Sequence, residues 1–156
     1  MDEITVVEAK PQLVLGMRKR RAYQEIPIMI MKVYEFAMSK NIEISSGPVF
    51  ICHECTAEGA QKANQEKNAD IEIVWPISKK AEGSEDIKCY ELPGGKMAKI
   101  VHKGPYEEAG TTYEKLLAWL KENNKTLAGP IREAYLNDPR EVPQSEILTE
   151  IYAPIE

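Results

Sequence analysis

The sequence predicts an α+β fold: two pseudo-twofold related β-β-α-β-β repeats forming one antiparallel sheet, with both helices on one face. Three observations predict it. The chain matches itself at a shift of about half its length, each half carries segments of strand period around one of helix period, and one helix cannot cover a sheet edge to edge, so the two units join into a longer sheet.

The self-match comes in four ordered segments. Ile4 meets Ile87, Glu8 meets Glu91, and Tyr23-Gln24-Glu25 meets Tyr106-Glu107-Glu108, all at an offset of about 83 positions. Gly47-Pro48 then meets Gly129-Pro130, and Pro76-Ile77 meets Pro154-Ile155, at slightly shorter offsets, so the second copy has the shorter loops. The 156 residues are read as one domain, with repeat one at about 1–80 and repeat two at about 81–156.

Each copy opens with two alternating stretches, Ile4 to Lys10 and Leu13 to Arg18, then Ile87 to Leu92 and Met97 to Lys103. Lys10-Pro11-Gln12 and Pro93-Gly94-Gly95 separate them, turn chemistry that argues for hairpins. A helix follows at about Ile28 to Lys40, where Ile30, Val33, Tyr34, Ala37 and Met38 form one stripe. In copy two the stripe is Tyr113, Leu116, Leu117 and Leu120, and Asn123-Asn124 stops the helix. Gly-Pro then introduces a strand, Val49 to Glu54 or Ile131 to Leu136. A polar loop leads to the last one, Ile71 to Ile77 or Leu148 to Ile155. The face without helices is left for a ligand cleft between the repeats.

Composition narrows the function classes. Hydrophobic residues at 43% and charged residues at 29% belong to an ordinary globular chain. The net charge of -5 and the shortness of the one basic run, Arg18 to Arg21, argue against direct nucleic-acid binding. No apolar run reaches the roughly 20 residues of a membrane span, and the acidic Met1-Asp2-Glu3 is unlike a secretory signal. Three cysteines, Cys52, Cys55 and Cys89, make no disulfide framework. A cytoplasmic protein is expected.

Residues two apart on a strand share a face, so Glu133 projects with Tyr135, and Glu150 with Tyr152. In the repeat alignment Glu150 falls opposite Glu72, but Glu133 falls opposite Ile51 and Tyr135 opposite His53, so Glu133 is the carboxylate peculiar to copy two. A carboxylate held among aromatic rings costs several kcal/mol unless a cation or donors offset it. Tyrosine faces add about 0.5–2 kcal/mol each for a desolvated organic cation. The plain alternative is a solvated strand end, with Glu133 beside Arg132. Tyr106, in His102-Lys103-Gly104-Pro105-Tyr106-Glu107, is a candidate cleft wall, as is its repeat partner Tyr23. Trp75 is either core or a further wall. Cys52-His53-Glu54-Cys55 has the spacing of half a zinc site, but there is no second such pair and one other histidine, His102, so neither a metal nor a cofactor is expected. Neither a phosphate loop nor a Ser-His-Asp arrangement occurs.

Over nearly its whole length the chain resembles the GyrI-like, AraC-type effector-binding domains, which also form the C-termini of multidrug-sensing transcription activators. The matching stretches are His102 to Glu107, Gly129 to Pro139 (Gly-Pro-Ile-Arg-Glu-Ala-Tyr-Leu-Asn-Asp-Pro) and Leu148 to Ile155. The resemblance implies a pseudo-twofold α+β fold whose cleft takes lipophilic cations, an acidic residue in the position of Glu133, and aromatic residues at positions such as Tyr106 and Tyr152. With no room for a helix-turn-helix before Ile4, a standalone member is expected. Standalone relatives include ligand binders, a gyrase inhibitor and hydrolases that open cyclopropane-containing genotoxins. Three functions follow as expectations. The first is a binding module for aromatic, cationic small molecules using Glu133, Tyr135, Tyr106, Tyr152, Glu150, Tyr23 and Trp75. The second is a hydrolase with Glu133 as general base and Tyr106 or Tyr135 as hydrogen-bond donor. The third is an inhibitor that docks on a protein partner.

Overall fold

The computed structural model describes residues 3–53, 57–105, 108–137 and 141–156. Its elements in chain order are β1 (Thr5–Ala9), β2 (Gln12–Arg21), α1 (Ile26–Ser39), β3 (Val49–Cys52), α2 (Ala57–Gln65), β4 (Ala69–Pro76), β5 (Lys88–Leu92), β6 (Gly95–Lys103), α3 (Ala109–Glu122), β7 (Ile131–Tyr135) and β8 (Leu148–Pro154). Every described strand pairing is antiparallel, and the fold is α+β.

By internal contacts the chain divides into two compact units, one running from Pro11 to Pro93, the other joining the chain up to Lys10 with Gly94–Glu156. In the first unit β4 lies between β3 and β2, and β5 adds to the free side of β2. In the second, β8 lies between β7 and β6, and β1 adds to the free side of β6. The strand order has the same form in both.

The expected hairpins are absent: β1 pairs with β6, and β5 pairs with β2. Proline is the reason. A two-residue hairpin loop takes a positive φ at its first central residue. In Pro93-Gly94 that residue is Pro93, whose φ is locked near −65°. In Lys10-Pro11 it is Lys10, held extended by the proline after it and not among the described residues with positive φ. Each chain segment therefore leaves in a new direction and pairs elsewhere.

The helices end alike. Asn41 (φ 56) and Asn124 (φ 54) take the left-handed conformation. Ile42 N–H then donates to Ala37 C=O (2.9 Å) and Lys125 N–H to Leu120 C=O (2.8 Å), satisfying carbonyls that a helix end leaves unpaired. Asn124 stops α3 as the sequence predicts.

The buried stripe of α1 is Met29, Val33 and Ala37, with Met38 at 45% exposure; in α3 it is Thr112, Leu116 and Leu120, with Leu117 also at 45%. Both stripes are thus rotated from the sequence expectation, which had placed Met38 and Leu117 inside. In α1 the apolar residues run almost all the way round, so periodicity does not fix which of them faces the sheet. Helix α1 packs on β2 and β4, and α3 on β6. The core under α3 joins Leu116 and Leu120 to Ala98, Ile100, Ile151, Ala153 and Ile155, with Ile4, Tyr113, Trp119 and Ile131 packed against it. Helix α2, too polar to show a core-facing stripe, replaces part of the polar loop expected between β3 and β4.

Two neighbouring leucines test this phase. Leu116→Ala is expected to destabilise the protein by about 2–5 kcal/mol, and Leu117→Ala by no more than about 0.5 kcal/mol, in urea unfolding. Equal losses would mean that the helix is seated differently.

Candidate functional site

Alternation along β8 places Thr149, Ile151 and Ala153 inside, toward the core under α3, and Glu150 and Tyr152 on the opposite face. Residues directly opposite one another across a ladder share a face. Glu133 lies opposite Ile151 and Tyr135 opposite Thr149, so both project toward α3. Arg132 and Ala134, opposite Tyr152 and Glu150, project away. The two Glu-x-Tyr pairs therefore lie on opposite faces of the strands and form two separate groups.

The inner group is built around Glu133, which is partly buried. Tyr113, on the first turns of α3, donates its hydroxyl to Glu133 Oε2. Tyr135 reaches Oε1 at a long 3.4 Å. Ion pairs of Glu133 are absent among the described residues. Burial raises its carboxyl above the ordinary 4.5, while the hydrogen bonds from Tyr113 and Tyr135 and the field of His102 pull the other way without cancelling that effect. Next to it, buried His102 makes two hydrogen bonds, Nε2 to Pro105 C=O (2.9 Å) and Nδ1 to Thr112 Oγ1 (2.8 Å). A carbonyl accepts only, so Nε2 carries a proton. Thr149, opposite both His102 and Tyr135 in the ladders, is 2% exposed, and its hydroxyl has no hydrogen-bond partner among the described residues.

The outer group is Glu150, Tyr152 and Lys99. Lys99 Nζ lies 2.5 Å from Glu150 Oε2 and 5.7 Å from the centre of the Tyr152 ring, and Tyr152 donates to Glu150 Oε1 (3.0 Å). The hydrogen bond to Glu150 holds the Lys99 ammonium above its ordinary range.

The other candidates scatter. Tyr23 packs edge-on against Phe50 (centroids 6.2 Å apart). Trp75 donates Nε1–H to Ile30 C=O (2.9 Å) and lies 5.3 Å from the Tyr34 ring, which makes it part of the packing under α1. Tyr106 and Cys55 lie outside the described residues. Among those described, no group of three or more His, Cys, Asp or Glu side chains is arranged to hold a metal.

Ladder register also corrects the repeat alignment. Glu72 lies opposite Ile51, and Phe50 opposite Ile73. Since Glu133 lies opposite Ile151, its counterpart in the first unit is Phe50, and that of Tyr135 is Cys52, each one residue from the sequence match. A one-residue slip changes the face. Two other core positions follow suit. Met29 and Thr112 are each the fourth residue of their helix, and Ile71 and Thr149 stand at the matching point of β4 and β8. Buried apolar residues in one unit are thus matched by a glutamate and two threonines in the other. Sequence reasoning missed Tyr113, Thr112, His102 and Thr149; the polar Thr112 in an otherwise apolar helix stripe was the available signal.

The second unit is thus an antiparallel α+β frame with an acidic, hydroxyl-rich inset beneath α3. The chain belongs to the GyrI-like family, matching the GyrI-like small molecule binding domain over residues 2–156. No curated protein matches it. Among solved structures, the EcmrR C-terminal domain superposes with a TM-score of 0.87 at 20% identity, over 99% of this chain and 97% of that one. In the EcmrR–DNA complex the match has a TM-score of 0.86 at 20% identity, and 99% of this chain spans 57% of the EcmrR chain. A hydrolase from Listeria innocua gives 0.69 at 14% identity, over 99% and 92% of the two chains. SAV2435, solved bound to tetraphenylphosphonium, gives 0.64 at 12% identity, over 99% and 94%. At these identities the likeness is one of fold. No described helix is long and apolar enough to cross a membrane.

The raised carboxyl has a consequence for stability. The folded state holds the Glu133 proton more tightly than the unfolded state, so above the ordinary value of 4.5 its contribution declines as pH rises toward the folded value. Glu133→Gln is expected to be the more stable protein at pH 7, with the difference shrinking as pH falls from the raised folded value toward 4.5 and levelling off below it. Urea midpoints measured from pH 4 to pH 7 test this, and a pH-independent difference would show that Glu133 is not desolvated.

Proposed function

We propose that this GyrI-like domain binds an aromatic, cationic small molecule, with the Glu133 carboxylate as its counter-charge. The observation that carries this is the polar inset itself: a carboxylate and two buried threonine hydroxyls, that of Thr149 without a hydrogen-bond partner among the described residues, stand where the other unit packs phenylalanine, methionine and isoleucine. Desolvating a carboxylate without a cation is costly, and a bound cation offsets that cost. Tyr113 and Tyr135 offer ring faces for cation–π contact, and the Thr149 hydroxyl can take a polar substituent of the ligand. Tetraphenylphosphonium, the ligand in the SAV2435 structure, is a molecule of this class. On this reading the protein acts in the cytoplasm as a ligand-binding module. Tyr23 and Trp75 support the packing of their own unit.

A second reading has a specific observation in its favour, the upward shift of the Glu133 carboxyl toward neutral pH. Such a group serves as a general base. It would take a proton from water as the oxygen bonds to a strained ring carbon, the ring C–C bond breaks, and the electron pair passes to an adjoining carbonyl that Tyr135 hydrogen-bonds.

Titration with tetraphenylphosphonium by fluorescence or calorimetry separates these readings. Glu133→Gln is expected to weaken binding about tenfold or more, near 1.4 kcal/mol, and to leave binding of a neutral aromatic of similar size unchanged. Unaltered affinity for the cation would remove the electrostatic proposal. Turnover of a cyclopropane electrophile that disappears in Glu133→Gln would replace it with the hydrolase.

A further inference from the structure

The unit Pro11–Pro93 has an acidic group of its own. Glu72, 8% exposed, accepts hydrogen bonds from Tyr90 Oη on Oε2 (2.5 Å) and pairs with His53 Nε2 through Oε1 (2.7 Å). Burial and the bond to Glu72 hold the Tyr90 phenol far above its ordinary range, so Tyr90 keeps its proton and remains a donor. Glu72 and Tyr90, with Gly16 and Lys88, edge a cavity of about 350 Å³, at the lower end of the roughly 300–1,000 Å³ of small-molecule sites.

The second unit shows what such a carboxylate binds. Glu72 lies opposite Arg18, and Gly16 lies two residues before it on β2; Glu150 lies opposite Val101, and Lys99 lies two residues before it on β6. At Glu150 the chain supplies its own ammonium, Lys99, beside a tyrosine ring. At Glu72 the matching residue is Gly16, and the hydroxyl end of Tyr90 lies over it, so close that a Cβ at Gly16 would fall 2.0 Å from Tyr90 Oη. A neutral donor thus stands in for a cation. The neighbouring cations are engaged elsewhere: Arg18 with Asp70 in a two-point bond (2.8 and 2.7 Å), Lys19 with Asp86 (2.6 Å), and Lys88 with Ser84 C=O (2.8 Å). Among the described residues, no lysine or arginine pairs with Glu72.

We propose that this cavity is a second ligand site, distinct from the one at Glu133, which takes a small primary ammonium with Glu72 as counter-charge and the Tyr90 ring as its apolar wall. The ligand plays the part that Lys99 plays at Glu150, and Gly16 is the residue that leaves room for the arrangement.

Benzylammonium is the probe, titrated at pH 8 into the full chain carrying Glu133→Gln, so that failure of the Glu133 reading and failure of this one are told apart. Backbone amide shifts should appear at Gly16, Lys88 and Tyr90, and the affinity should fall tenfold or more when Glu72→Gln is added. Tyr90→Phe, which keeps the ring and removes the competing donor, should bind at least as tightly. Benzyl alcohol should not bind. Should Gly16 and Tyr90 remain unshifted in the Glu133→Gln protein, or should Glu72→Gln bind equally with an unchanged urea midpoint, the site is not there.

Discussion

Glu133 lies opposite Ile151 across the β7–β8 ladder, and that single register places a carboxylate on the inner side of the strands, under α3. Everything distinctive about the second unit is arranged around it. Tyr113 comes from the helix above to donate to it. Thr112, one residue earlier, holds His102, whose other nitrogen is bound to Pro105 C=O. The price is a polar inset in what would otherwise be a continuous apolar core of Ile100, Leu116, Leu120, Ile151 and Ala153. The matching positions in the first unit, Phe50, Met29 and Ile71, are ordinary core residues.

The two units show one carboxylate position handled in two ways on their outer faces. At Glu150 a lysine and a tyrosine from the chain itself satisfy the charge. At Glu72 a phenol and an imidazole hydrogen-bond the carboxylate. Two units of the same strand order thus carry a carboxylate at the same ladder position with different partners.

The α+β class, the succession of strands and helices along the chain, the stop at Asn124 and the strand starts after the two Gly-Pro pairs were legible in the sequence, because local chemistry encodes them. Glu133 was legible too, as a carboxylate without a counterpart. Its true counterpart was not: Ile51 matches it by letters, Phe50 by hydrogen bonding, and only a ladder distinguishes faces one residue apart. Partners across space were equally hidden. Nothing local to Tyr113 marks it as the donor to Glu133, and nothing near Thr5–Ala9 says that the segment pairs with β6. Helix phase failed for α1 because a sequence so evenly apolar names no single face.

The pairing of β1 with β6 bears on how the chain is made. Ribosomes add about 5–20 residues per second, so Glu8 must wait on the order of ten seconds before Lys96, its partner, exists. During that interval Pro11–Pro93 can assemble as a unit, while the N-terminal strand trails with its backbone amides and carbonyls bonded to water. Contacts this distant in sequence also slow the search for the native state. The second unit can therefore gain its β1–β6 ladder only after β6 is made, by pairing with a segment made before Pro11–Pro93.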